Sequence, residues 1–452
     1  MHETAAPPAS AGGFVFWAST IIFIAAYAVI MSEKIHKTVV AIVGASLILI
    51  LGILTQHEAF NVEELGVDWN VIFLLISMMI IINLMRPTGF FEYIAIKGAR
   101  LGKGNPIRIM IIFSVVTAVI SAFLDNVTTV LLITPVTILI ADALDVDPVP
   151  FLIMEAIASN IGGTATLIGD PPNIMIASKA KFVFMDFIVH LTPIIVLIMV
   201  VLVVVIKIVF GNKLKTTDEK RQRILQMNEN DAIKDPAMLK KSLFVLALVL
   251  TGFVFHGKLH YEPATIALFG AGLLLLLSKV REPHHILAEV EWPEIFFFIG
   301  LFILVGGVVK GGLVNFLSLK MLALTHGNLF GTSMVVLWFS AIASAIIDNI
   351  PFVATMNPLI IDMAHQLWPN LDGVALVQHK DLMPVWWSLA LGACLGGNGT
   401  AIGATANVIV VGMAEKAGRK ISFIRFLAYG FPIMILTVFI SMMYIWLRYY
   451  LL

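Results

Sequence analysis

Apolar runs of bilayer-spanning length recur along the whole chain, and they constrain the fold before any motif is considered. A helix crosses the hydrocarbon core with about 20 predominantly apolar residues. Runs of this kind predict spans near 13–31, 38–54, 69–85, 148–178, 186–210, 242–256, 261–278, 292–309, 384–413 and 422–447, ten crossings in all. Two further apolar stretches, 107–141 and 331–365, are each interrupted by an Asp-Asn pair and read as re-entrant hairpins. With 59% hydrophobic and 13% charged residues, the chain lies far from soluble composition.

The first run is read as a span rather than a cleaved signal, because the residues before it include Glu3 and no Lys or Arg. Net charge is zero, which gives no bias toward nucleic acid. Cys394 is the single cysteine, so there is no internal disulfide and no Cys-rich metal cluster, and neither a metal nor a cofactor is expected. Lys and Arg concentrate in cytoplasmic loops. With the N-terminus outside, 22 of the 29 basic residues fall inside, including Lys34, Lys37, Lys97, the nine from Lys207 to Lys241, the pair Lys279 and Arg281, and Lys416 to Arg425. Both termini are therefore expected to be extracytoplasmic.

The chain also repeats itself. At an offset of 223, Trp69 pairs with Trp292, Gly89 with Gly312, Asp125 with Asp348, Asn126 with Asn349 and Pro135 with Pro358. After the loop at 368–384 the offset becomes 234, pairing Gly162-Gly163 with Gly396-Gly397, Thr166 with Thr400 and Asn173 with Asn407. The expected organisation is a first repeat at 1–210, a cytoplasmic linker at 211–241 and a second repeat at 242–452. Five crossings per repeat would insert the second copy upside down, an arrangement common among transporters with broken helices at the midplane. The expected fold is all-α and integral to the membrane, with two inverted repeats of five spans, each carrying a hairpin and a broken helix.

A carboxylate at the bilayer centre costs about 3 kcal/mol on insertion scales, so acids there mark pathways or proton relays. Asp125, Asp170 and Asp348 interrupt apolar stretches and are expected to couple protons or ions. Around them, Asn126, Thr128 and Asn349 stand at the hairpin tips. Asn160, Gly162, Gly163, Thr164, Thr166 and Asn173 belong to the first broken segment, and Gly396, Gly397, Asn398, Thr400 and Asn407 to the second. All are expected to bind substrate. Glycine- and proline-rich backbone is tolerated at membrane depth only where it lines a cavity or is buried in protein. The second motif replaces the acid by Ala404, so the site is symmetric in shape and asymmetric in charge.

Enzyme readings fail. No Gly-Lys-Ser or Gly-Lys-Thr follows the glycine runs, and Leu167 occupies the first position of an intramembrane protease's Gly-x-Gly-Asp signature, so no catalytic residue is assigned.

The Asp125-Asn126 and Asp348-Asn349 tips, together with Asn160 to Asn173 and Cys394 to Asn407, resemble the ArsB/NhaD branch of the ion transporter superfamily over essentially the whole chain. The Gly-Asp-Pro-Pro-Asn string looks like that of the melanosomal P proteins in the branch. The resemblance implies a homodimer in the cell (inner) membrane that moves substrate by an elevator mechanism, and it leaves room for an accessory ATPase. It further implies arsenite/antimonite efflux coupled to proton antiport, with sodium/proton antiport as the alternative. Dicarboxylate uptake fits less well, because Ile161 follows Ser159-Asn160 and the expected site offers no Arg or Lys. A passive channel belongs to a different class.

Overall fold

The computed structural model describes residues 13–32, 34–62, 64–211, 213–279 and 282–451; Glu3 and Arg281 lie outside them. Among the described residues all regular structure is helical, and nine helices are long and apolar enough to cross a membrane. The main helices of the first half are α1 Phe14–Ser32, α2 Lys37–Ile50, α3 Trp69–Met85, α4 Phe90–Leu101, α5 Pro106–Phe123, α6 Asn126–Leu144, α7 Val149–Gly163, α8 Pro171–Ala180 and α9 Thr192–Phe210. The linker carries α10 Asp218–Gln226. The second half follows with α11 Pro236–Leu259, α12 Pro263–Ser278, α13 Trp292–Gly311, α14 Leu313–Thr325, α15 Leu329–Ile346, α16 Asn349–Leu367, α17 Met383–Gly396, α18 Thr405–Lys416 and α19 Phe423–Trp446.

The boundaries keep the sequence offset. α5 and α15, and likewise α6 and α16, are separated by 223 residues at both ends. Matching side chains cause matching boundaries. Asn105 accepts from the Ile107 and Arg108 amides to cap α5, and Asn328 accepts from the Gly331 amide to cap α15. Gly89 and Gly312 take left-handed φ values of 82° and 89° where α3 and α13 turn into α4 and α14, a conformation that costs glycine little.

Helix pairs stand at the two interrupted stretches, α5–α6 and α15–α16, turning at Leu124-Asp125 and Ile347-Asp348. Each arm has 18 or 19 residues, or about 27 Å of helix, so an arm rivals a full crossing in length. The runs 148–178 and 384–413 are each two helices, α7–α8 and α17–α18, separated by irregular backbone that in the second includes a 3-10 turn at Gly397–Gly399. α7 is buried along its whole length and α17 nearly so, whereas most residues of α9 and α11 are not buried and both helices are apolar, as lipid-facing helices would be.

Packing crosses between the halves. α2 lies on α13 and α3 on α12, while α8 lies on α16 and α18 on α6. Small residues permit the close approaches, as at Gly300, where an added Cβ would sit 2.7 Å from the backbone of Ala41.

The segment 211–241 is more than a charged connector. Thr216 Oγ1 donates to the Leu144 carbonyl (2.7 Å), the Lys234 amide to Thr88 O (3.0 Å), and Arg100 and Lys220 pair with Glu229 and Asp145. The linker thus clasps the base of the first hairpin. Hydrogen bonding and the charge of Lys220 hold the Asp145 carboxyl below its ordinary range.

Candidate functional site

Both hairpin tips meet both helix breaks at the centre of the protein. Thr166 donates its hydroxyl to the Ala122 carbonyl beside the first tip, and Thr400 does the same to Ala345 beside the second (2.6 Å). Asn160, buried on the last turns of α7, is the hub. It accepts from Asn126 Nδ2 (3.2 Å) and donates to Asn398 Oδ1 (3.0 Å) and Asn407 Oδ1 (3.1 Å), so one side chain joins both breaks and the first tip. Across the centre, Asn349 Nδ2 lies 3.3 and 3.4 Å from the Asp170 oxygens. Asn398 Nδ2 is buried with no acceptor among the described residues.

Other expected site residues hold the breaks in shape. Asn173 Nδ2 donates to the carbonyls of Gly163, Thr164 and Thr166 (3.4, 3.2 and 2.8 Å), and Asn407 Nδ2 to those of Gly397 and Thr400 (2.8 and 2.9 Å). These bonds satisfy backbone that no helix ladder reaches. Thr164 Oγ1 donates to Asn160 O (2.7 Å), and Cys394 Sγ lies 3.7 Å from Asn173 Oδ1. Gly162 and Gly396 are packed against the backbones of Ala118 and Ala341, and Gly163 and Gly397 against Gly169 and Gly403.

The three acids differ. Asp125 accepts from the Thr128 amide (2.8 Å) and hydroxyl (2.5 Å), capping α6. Asp348 caps α16 through the Ile350 amide (3.2 Å) and also takes bonds from Thr405 Oγ1 (2.6 Å) and Lys37 Nζ (3.0 Å). Asp170 occupies the cap position of α8 but its carboxylate makes no capping bond: Pro171 and Pro172 present no N–H, and the Asn173 amide donates to the Asp170 backbone carbonyl (2.9 Å) instead. Among the described residues no cation pairs with Asp125 or Asp170.

Lys37 corrects the expectation that no Lys or Arg reaches the site. From the first turn of α2 its ammonium bridges Asp348, Thr405 (2.9 Å) and Glu294 of α13 (3.1 Å). Tyr27 of α1 adds a bond to Pro351 O (2.6 Å) nearby. This latch joins α1, α2 and α13 to the second tip and break. The residue 223 positions on is His260, which lines an open crevice of about 400 Å³ between α3, α8, α11 and α12 that includes Leu167 of the first break. Replacing Lys37 by Met is expected to lower stability by about 2 kcal/mol, since Asp348 and Glu294 lose their cation. Faster hydrogen exchange across the starts of α16 and α18 would report it, and unchanged exchange would show that the latch holds nothing.

A buried acid on α7 also escapes the expected set. Glu155 on α7 accepts from Thr137 Oγ1 of α6 (2.6 Å) and leaves Oε2 without a partner. The rule applied to Asp125 finds it as well, as the lone charge between Val149 and Gly163.

A profile of the CitMHS family, described as citrate transporter, matches residues 27–392. An uncharacterized transporter of Mycobacterium tuberculosis is 45% identical over 433 residues, covering 95% of this chain and 98% of its own length. The 46 kDa membrane protein of Mycobacterium leprae is 44% identical over 428 residues, covering 95% and 97%. The human P protein is 31% identical over 505 residues, covering 94% of this chain and 59% of its own length.

Proposed function

The chain belongs to the CitMHS citrate transporter family of membrane transporters, and from that premise we propose that it is a secondary active transporter exchanging a cation for protons by an elevator movement. The observation that carries the reading is the charge balance at the centre. Asp125, Asp170, Asp348 and Glu294 face one fixed cation, Lys37, so the site is completed by loading protons or a metal cation. Sodium/proton antiport follows most directly.

Arsenite/antimonite efflux is a second reading with its own support. The unpartnered Asn398 Nδ2 suits an oxygen-bearing solute, and a neutral trihydroxy species meets no repulsion from the acids. A free carboxylate would enter against the same acids and would need their charge neutralised first.

The matching helix boundaries and five crossings per half favour inverted repeats. Alternating access is favoured by the contrast between the closed latch at Lys37 and the open crevice at its counterpart, His260. In the cell membrane the proposed form is a homodimer with lipid-exposed outer helices, and an accessory ATPase would act from the cytoplasmic face.

Everted vesicles test the exchange. Sodium is expected to release protons from an acid-loaded interior. Arsenite accumulation without a sodium signal would replace sodium/proton antiport by the second reading, and flux indifferent to a proton gradient would make the protein a channel. Single cysteines placed at Lys97 and Lys320 are expected to be labelled from opposite membrane faces; labelling of both from one face is incompatible with inverted repeats.

A further inference from the structure

We propose that Glu155 is a proton-relay residue connecting the cytoplasmic surface to the central acids, on one side of the protein only. The inference rests on the proton-coupled reading and adds a residue outside the repeated motifs. Three observations converge on it.

The first is the state of the carboxyl group. Glu155 is buried where α7 crosses α6, its single hydrogen-bond partner among the described residues is the Thr137 hydroxyl, and Oε2 has none. α7 packs against α5, α6, α9, α17, α18 and α19. The titratable and charged groups on those helices are Arg108, Asp142, Lys207, Cys394, Glu415, Lys416, Arg425, Tyr429 and Tyr444, and none pairs with Glu155. An unpaired carboxylate in such surroundings costs several kcal/mol, so the group rests as the neutral acid, holding one proton.

The second is position. The turn between α6 and α7 opens into a surface cavity of about 350 Å³ lined by Asp142, Asp145, Val146, Asp147 and Arg419. Along α7, Glu155 stands six residues from Val149 at the cavity end and five from the hub Asn160, about 9 and 7.5 Å of helix rise. α6 carries buried Thr134 and Thr129 on the way to its tip at Asp125, and both hydroxyls lack partners among the described residues. Hydroxyls therefore lead from Glu155 toward the acids, and one apolar stretch, Val149 to Met154, separates Glu155 from the cavity. One proton enters at Oε2 from the cavity side and leaves toward Asp125 or Asp170, and no other group changes its bonds.

The third is asymmetry. The position equivalent to Glu155 in the second half is Leu389, in the buried α17, so the other side has no such step. A relay on one face alone suits exchange that takes protons and cations by different routes.

The test uses the full protein in proteoliposomes, with sodium-22 as probe. Glu155→Gln keeps the shape and the Thr137 bond. It is expected to retain sodium–sodium exchange while losing the acceleration of sodium flux by a proton gradient, and to remove an infrared carbonyl band from a buried protonated acid. Thr137→Val is expected to shift that band and keep the exchange. Full gradient-driven flux in Glu155→Gln beside a gradient-sensitive wild type would overturn the relay alone, as would a spectrum without the band. A wild type that moves no sodium, or moves it without regard to the gradient, would overturn the coupling reading and the relay with it.

Discussion

Asp170→Asn is expected to reduce proton-driven flux by about a hundredfold, the scale at which a positioned proton-transfer group contributes, while the protein still folds and assembles. The reasoning is local. Asp125 and Asp348 spend carboxylate oxygens on backbone amides, so each has a structural duty besides any ionic one. Asp170 has no such duty. Two prolines remove the first two amides and the third bonds the Asp170 backbone carbonyl, leaving the carboxylate oxygens to the Asn349 amide, the Cys394 thiol and whatever the site loads. Asparagine fills the same volume and sits at a helix start about as well, but it cannot carry and release a proton. The measurement is vesicle flux across a pH series beside size-exclusion chromatography of the purified variant. A wild-type pH profile in the variant would reject the coupling role.

Gly162→Ala is expected to be strongly destabilising. The added Cβ would stand 2.1 Å from the Ala118 carbonyl oxygen and 2.5 Å from its Cα, and a backbone cannot swing aside as a side-chain end can. Overpacking of a core costs roughly 1–3 kcal/mol, and here the strain falls on the contact that seats α7 against the hairpin arm α5. Gly396→Ala repeats the clash at Ala341, with approaches of 2.5 and 2.6 Å. Gly272→Ala in α12 is the control, because nothing lies within 4 Å of the new methyl and alanine favours helix by about 1 kcal/mol. Thermal unfolding in detergent should show large losses for the first two and none for the third. Equal stability of all three would mean that the helices can separate at no cost.

Much of this arrangement is legible in the sequence because its devices are local. An Asp-Asn pair ending one apolar run and starting another, or prolines directly after an acid, dictate a cap or a break with little help from the rest of the chain. The duplication then doubles each signal. Lys37 is not legible in this way. At the start of a span it looks like an ordinary cytoplasmic anchor, and its partners lie 257 and 311 residues further on. Glu155 has the same apolar setting as the other acids, but the repeat does not point to it, since leucine stands at its counterpart. The clasp made by 211–241 depends on the bare backbone of Gly89 meeting Ala232 O, a long-range fit that a run of charges does not announce.

The cross-packing of the halves has a consequence for how such a protein is made. When the ribosome has finished α8, the surface that will cover it, α16, has not been translated, and α6 likewise waits for α18. The early product must stay in the bilayer without these two partners until nearly the last helix arrives. Closure of the core therefore waits for the second half of the chain.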